Sequence, residues 1–309
     1  MSDQPLASII IPVYNQAEFV SESLDSALAQ SWSETEVIIV DDASTDGTSE
    51  MIARFADEEN VSIYRNDRNR DCVYTFNRGI SLAKGRYYGI LAADDTWEPL
   101  FLEKCVTALE EHPEAGFAYT RVNLLDRQGK RRPRTADRIV HRQDRCGDEF
   151  INLVRWLNPV PHHATVVRKS CLEEVGPYNE ELTTTHDWDL WLRLSRKFPV
   201  VFINEALSNY RVHEANVSRL RSRTGDKEKF ILRVLDRVFG MEDLPEVLIE
   251  EQDEIYARAW LDIAEGYRLI GDFSQMRRCL ARAFSLSRNP GLYLPYRSLI
   301  LSLLKKPAN

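Results

Sequence analysis

Val37-Ile38-Ile39-Val40-Asp41-Asp42 and Tyr88-Gly89-Ile90-Leu91-Ala92-Ala93-Asp94-Asp95 are short apolar runs that each end in two adjacent carboxylates. A third run, Ile9-Ile10-Ile11, ends at Pro12-Val13-Tyr14-Asn15. Short β-branched runs bounded by turn residues and followed by helical patterns read as buried parallel strands. In open α/β sheets, ligands sit beyond the carboxyl ends of the strands. Paired carboxylates at that rim suit a divalent metal that carries phosphates.

Outward from these runs, strands are expected at 7–13, 36–40, 61–64 and 87–91, with helices between them. Asn15 and Glu18 have the spacing of a capping box. Val20, Leu24, Ala27 and Leu28 give a helical stripe, and Gly85 is placed as the C′ residue of a helix marked by Val73, Phe76, Ile80 and Ala83. Thr96 reads as a helix cap, with Pro99 in the first turn. Successive βα units imply a mostly parallel, doubly wound sheet. After residue 116 the pattern mixes: a strand at 117–122, a hairpin or loop over 126–145, a helix near 148–157 and a strand at 164–168. An amphipathic helix over 187–197 and strands at 200–203 and 206–213 follow. Beyond residue 220 only helices are expected, at 226–238, 244–269, 273–287 and 292–305, including one tetratricopeptide-like pair. The domains are therefore 1–220 and 221–309, with the boundary near Arg221–Gly225.

The net charge of −8 over 309 residues excludes a general nucleic-acid binder. Five scattered cysteines without CxxC spacing fit a reducing compartment rather than a disulfide framework or zinc site. With no signal-type segment and no apolar run near the roughly 18 residues that span a bilayer, a cytoplasmic location is expected. Lys130-Arg131-Arg132-Pro133-Arg134 reads as a solvated hairpin tip, or as a steering patch for an anionic acceptor or membrane surface. Tyr293–Leu304 is apolar on much of its circumference. It either docks on the other helices or lies on a membrane, and the unpaired repeat leaves room for a homo-oligomer through these helices.

Several ordered motifs resemble family 2 glycosyltransferases of the GT-A fold. They are Ser8-Ile9-Ile10-Ile11-Pro12-Val13-Tyr14-Asn15, Val40-Asp41-Asp42-Ala43-Ser44-Thr45-Asp46-Gly47-Thr48, Asp94-Asp95, His186-Asp187-Trp188-Asp189-Leu190-Trp191, and Tyr210-Arg211-Val212-His213-Glu214-Ala215-Asn216-Val217-Ser218. The resemblance covers about residues 6–220. It implies a mixed, mostly parallel sheet flanked by helices, and transfer of a sugar from a nucleotide-diphosphate donor to an acceptor hydroxyl with inversion. A uridine donor is the commonest expectation, and a carbohydrate, lipid-linked or protein acceptor would be served.

The same resemblance distributes roles. Asp42 would contact the donor base beside a wall of Pro12, Tyr14 and Asn15. Asp95 would ligate Mn²⁺ or Mg²⁺, Asp94 would face the ribose or a metal water, and His213 would complete the metal or diphosphate site. Asp187 would be the general base. Each aspartate has a structural alternative as a turn or helix cap. Around a helix, Asp189 lies about 200° from Asp187, so the two face different ways. The chain departs from the family at Asp71, Phe76, Ala92 and His186, and Arg70 is placed to reach the diphosphate instead. His162 and His163 read as packed or exposed turn residues, with lining of the acceptor site by one of them as the alternative. Two rivals remain: a sugar nucleotidylyltransferase, which would need a Gly-rich phosphate loop that Pro12–Gln16 lacks, and a non-catalytic nucleotide-sugar-binding scaffold.

Overall fold

Ile9, Ile10 and Ile11 are fully buried, so β1 (Ala7–Val13) is covered on both faces and takes the centre of a sheet. Each such side chain contributes about 1.5–3 kcal/mol by leaving water. The structure, a computed structural model, describes residues 6–135, 141–214, 216 and 226–302. Around β1 run α1 (Val20–Leu28), β2 (Thr35–Asp41), α2 (Thr48–Ala53), β3 (Val61–Arg65), α3 (Cys72–Leu82) and β4 (Tyr87–Ile90). β5 (Thr96–Trp97), α4 (Phe101–Glu111), β6 (Phe117–Leu125), β7 (Arg131–Thr135), β8 (Arg145–Gly147) and α5 (Phe150–Arg155) come next. β9 (Thr165–Arg168), α6 (Lys169–Val175), α7 (His186–Ser195) and β10 (Val200–Arg211) complete the sheet region.

The strand order is β3-β2-β1-β4-β9-β6-β10-β5, with β7 on β6 and β8 on β10. β3, β2, β1 and β4 are mutually parallel, with Ile9 opposite Val37 and Ile10 opposite Ile90. β9 is antiparallel to both β4 and β6, while β10 runs parallel to β6. The chain leaves β1 toward β2 on one side and later returns to β4 on the other. That reversal opens a crevice at the carboxyl ends of these strands. α3 closes one face so tightly that a Cβ on Gly79 would lie 2.4 Å from Ile10 Cγ2.

Several local expectations are corrected. Asn15 and Glu18 do not form a capping box: α1 starts at Val20 without a side-chain cap. Asn15 instead adopts φ 52° and accepts from Thr45 N at 2.8 Å, while Glu18 pairs with Arg127 at 2.6 Å. Gly85 is not a left-handed C′ residue. It is needed because a Cβ there would meet Ser8 Oγ at 2.5 Å. Thr96 belongs to β5, paired with Asn209 of β10, and caps nothing. The strands expected at 200–203 and 206–213 are one strand, β10, bent by register shifts between Ile203 and Ser208. The basic run does form a hairpin, β6–β7, turned at Gly129 (φ 80°) and held by Asp126 Oδ1, which accepts from Lys130 N at 2.9 Å.

By its packing the chain divides into two units. One runs to Phe150 and resumes over Asn158–His213; the other takes Ile151–Leu157 and the chain from Glu214. The division therefore falls earlier than 220, and the helix containing Leu153 and Val154 belongs with the helical unit. The boundary read near Arg221–Gly225 lies outside the described residues.

The helical unit holds α8 (Asp226–Phe239), α9 (Glu246–Glu250), α10 (Gln252–Leu269), α11 (Phe273–Leu286), α12 (Pro290–Tyr293) and α13 (Arg297–Ser302). α10 and α11 are the expected helix pair, turned at Gly271 (φ 79°) and capped by Asp272, which accepts from Gln275 N at 3.0 Å. α5 joins this unit through Arg155, whose guanidinium meets both oxygens of Glu251 at 2.6 and 2.8 Å. The helix expected over 292–305 is instead broken at a 3₁₀ turn over Leu294–Tyr296, where Pro295 has no N–H for an α-helical bond. Lys305 and Lys306 lie outside the described residues. Among the described residues no helix is long and apolar enough to cross a membrane.

Candidate active site

Asp41 and Asp42 separate into two roles. Asp41, the last residue of β2, accepts from Ser44 N at 2.9 Å and Ser49 Oγ at 2.7 Å and pairs with Arg65. It is the turn residue. Asp42, one step further, is 3% exposed and its Oδ1 accepts from Asn66 Nδ2 and from Arg70 N at 2.8 Å. Among the described residues its Oδ2 takes no hydrogen bond. Asn15 lies beside this loop, its amide donating to Ser44 Oγ at 3.0 Å, and Tyr14 is 44% exposed at the mouth. Pro12 sits opposite Val40 in the β1–β2 ladder. The Arg70 guanidinium meets Asp67 at 3.0 Å through both Nε and Nη2, and its main-chain amide donates to Asp42 Oδ1.

Asp94 and Asp95 follow β4 and also divide. Asp94 Oδ2 lies 2.9 Å from His213 Nε2, so the sheet brings together residues 119 positions apart. Asp95 is 1% exposed. Its Oδ1 accepts from Arg211 N at 2.8 Å, and its Oδ2 is 3.8 Å from His163 Nδ1. Burial, then the neighbouring Asp94 charge, push the Asp95 carboxyl well above the usual carboxylate range. A cation close by would relieve both effects. It is Asp94, therefore, and not Asp95, that meets His213.

Arg211 frames this pair. It is 1% exposed, and its Nε donates to Asp94 O at 2.9 Å while Nη2 meets Glu22 at 2.6 Å. Its guanidinium also lies 5.1 Å from the Phe19 ring, which in turn packs against His213 at 4.8 Å. Sequence reasoning quoted Arg211 within a motif but gave it no role.

Asp187 stands in the first turn of α7, two residues after the N-cap position Thr185, whose side chain makes no cap bond. Asp187 Oδ2 accepts from Asn158 Nδ2 at 2.9 Å and Oδ1 from Trp188 N at 2.8 Å, which fixes the plane of the carboxylate. Asp189 faces elsewhere, as the helical angle predicts, and pairs with Arg193 at 2.9 Å. Asn158 has φ 64°, a left-handed conformation that Asn tolerates better than most residues. It was missed in the sequence, where Asn158-Pro159 signals only a turn. The segment that begins at Asn158 ends at His163, so one short stretch touches both Asp187 and Asp95.

His162 and His163 are packed, His163 beside Asp95 and His162 beside Tyr178. His162 Nε2 lies 2.9 Å from Tyr178 Oη, within a ring cluster of Phe76, Tyr178, His186 and Trp191. Burial pushes His162 well below the usual histidine range and His163 down to about 4, so both stay neutral near pH 7. Phe76 and His186, two of the departures, are in contact at 5.4 Å between ring centres. A third, Asp71, has φ 75° and ψ 157°, a region otherwise almost confined to glycine.

Asp94 Oδ2 and His213 Nε2 are 2.9 Å apart, an ion-pair distance that equals the roughly 2.8–3.0 Å between adjacent donors on an octahedral ion; they are two donors, and among the described residues no third ligand groups with them.

Comparison with known proteins gives the family and the fold. The profile of the family described as "Glycosyl transferase family 2" matches residues 8–176. An uncharacterized glycosyltransferase of Rickettsia typhi is 33% identical over 218 residues, 69% of this chain and 66% of that one. The chain spans between 31% and 66% of the lengths of the rickettsial relatives it matches. Among solved structures, the mannosyltransferase PcManGT from Pyrobaculum calidifontis, in complex with GDP-Man and Mn²⁺, superposes with a TM-score of 0.63. It is 19% identical, over 98% of this chain and 82% of that one. S. aureus TarS 1-349 in complex with UDP-GlcNAc gives a TM-score of 0.57 at 17% identity, over 94% and 91% of the two chains. At these identities the likeness is one of fold, and that fold is GT-A.

Proposed function

The chain belongs to glycosyl transferase family 2, and from that premise we propose that it is an inverting, metal-dependent glycosyltransferase using a nucleotide-diphosphate sugar. The observation that carries this reading is the 2.9 Å approach of Asp94 to His213 at the rim where Asp42 and, through Asn158–His163, Asp187 also stand. Asp94 and His213 would hold Mn²⁺ or Mg²⁺, with Asp95 behind them as the buried charge that strengthens the site. The chemistry such an ion supplies is neutralisation of the departing nucleoside diphosphate.

The remaining work falls to the chain's own residues. Asp42 Oδ2 accepts from a ring N–H of the base, while Asn66 and the Arg70 amide hold its other oxygen in place. Pro12, Tyr14 and Asn15 line the neighbouring wall, and Asp95 keeps Arg211 and His163 in register. Asp187 takes the proton of an acceptor hydroxyl as the acceptor oxygen bonds to the anomeric carbon and the bond to the diphosphate oxygen breaks. The Asn158 and Trp188 bonds hold that carboxylate in a single orientation. Proteins of the same fold carry UDP-GlcNAc and GDP-Man, so the donor is a uridine or guanosine diphosphate sugar, uridine being the family's commoner expectation, and the acceptor is a carbohydrate, lipid-linked or protein hydroxyl.

The test is release of nucleoside diphosphate from UDP-glucose, UDP-galactose, UDP-GlcNAc and GDP-mannose with Mn²⁺, Mg²⁺ or EDTA. Turnover of at least one donor that EDTA abolishes supports the reading. Turnover of any donor unaffected by EDTA, or none with any metal, counts against it.

A further inference from the structure

At the opposite edge of the sheet from Asp94, where β6 and β10 begin, a second cluster of donor atoms faces solvent. His112 ends α4, Glu114 stands in the turn before β6, and Cys146 lies in β8. One ligand atom from each falls within 4.8 Å of the others. We propose that His112, Glu114 and Cys146 form a second cation site, for a thiophilic divalent ion of the zinc class.

The spacing favours a tetrahedral ion. Bonds of about 2.0–2.2 Å to nitrogen and oxygen and about 2.3 Å to sulfur place neighbouring ligands roughly 3.3–3.6 Å apart. His112 Nδ1 lies 3.4 Å from Glu114 Oε1, and Cys146 Sγ lies 3.7 Å from the same oxygen. Three protein ligands leave the fourth position to water, and the half-exposed side chains leave a path for entry.

The frame is rigid before any ion arrives. Arg168, only 6% exposed, donates to the carbonyls of Leu109, His112 and Ala115 at 2.6, 3.3 and 3.0 Å. Ala115 N closes the turn on His112 O at 2.9 Å, and Gly116 N reaches Pro199 O at 2.9 Å. Cys146 is held opposite Val201 in the β8–β10 ladder. Arg145, whose charge acts on the Cys146 thiol against the upward push of burial and Glu114, sends its guanidinium to Asp148 O and to His141. An ion here would fasten the β8 edge to the α4–β6 corner. Thiolate and imidazole select it against Mg²⁺ and Mn²⁺, whereas the Asp94 site is carboxylate-rich.

Binding replaces the Cys146 thiol proton, which leaves to solvent, by a metal–sulfur bond. The probe is Co²⁺, and then Zn²⁺ in competition, added to the full chain. The expected result is a thiolate-to-cobalt charge-transfer band at one equivalent, bleached by Zn²⁺. The band should persist in Asp94→Asn and Cys72→Ser and vanish in Cys146→Ser. His112→Ala should lower zinc affinity by more than the roughly 10–100-fold that outer-shell losses cost, which covers the case of Cys146→Ser failing to fold. Absence of the band in the wild type, its survival in Cys146→Ser, or its loss in Cys72→Ser would overturn the proposal.

Discussion

At the residue scale, the least comfortable position in the chain is Asp71. Its φ of 75° with ψ of 157° costs a non-glycine residue about 1–3 kcal/mol. Its carbonyl nevertheless accepts from Thr75 N at 3.2 Å and Thr75 Oγ1 at 2.9 Å, which starts α3 beside Asp42. Asp71→Gly removes the strain but loosens the unfolded chain, so urea unfolding should show a net gain of about 1 kcal/mol. A loss would mean that the Asp71 side chain outweighs its backbone. The buried histidines set a second expectation. Because the imidazoles of His162 and His163 are pushed down by burial, the unfolded chain binds more protons below about pH 6.5. The histidines' share of stability should therefore be full above that pH and fall as pH drops toward about 4, where His163 titrates in the folded protein, while the raised Asp95 carboxyl acts in the opposite sense. Thermal melts across pH 7.5 to 4.5 would show this, and His162→Gln should flatten the slope. An unchanged slope would assign the pH dependence to other groups.

At the element scale, α3 depends on its contact with β1. Gly79→Ala forces a methyl to within 2.4 Å of Ile10 Cγ2, so it should cost about 1–3 kcal/mol and lower the melting temperature. A neutral result would require α3 to slide outward, which the short distance to Ile10 resists. The strands around this helix were legible because buried parallel strands read as continuous β-branched runs. Ala7–Val13 was read at its true bounds, and Thr35–Asp41 within a residue. The caps were not legible. Asn15 and Thr96 have the right chemistry for capping, but each is taken by a partner from another strand or loop: Thr45 for Asn15 and Asn209 for Thr96. Local spacing cannot register a competitor that arrives from 30 or 113 residues away. The same limit hid Asn158 and the contact of His163 with Asp95. Their roles arise only where the turn before β9 passes between Asp187 and Asp95.

At the scale of the whole molecule, the sheet explains why runs of sequence point to one rim but leave the division of labour there to packing. Runs that end in carboxylates locate the edge, since parallel strands deliver their last residues there. They do not tell which of two adjacent aspartates points outward. Packing decides that: Arg211 N and His163 enclose Asp95 and leave Asp94 to His213. The unit boundary was blurred for a similar reason, because α5 is local in sequence to the sheet but packs with the helices through Arg155 and Glu251. On the proposed reading, this rim holds a metal-bound donor and presents Asp187 as the base. The most direct measurement compares wild type with Asp187→Asn, in Mn²⁺, for donor turnover alongside binding of the nucleoside diphosphate. Turnover should fall by about 10²–10⁴-fold, the usual contribution of a general base, while nucleotide affinity stays within a factor of about two. Equal turnover in the two proteins would contradict the claim.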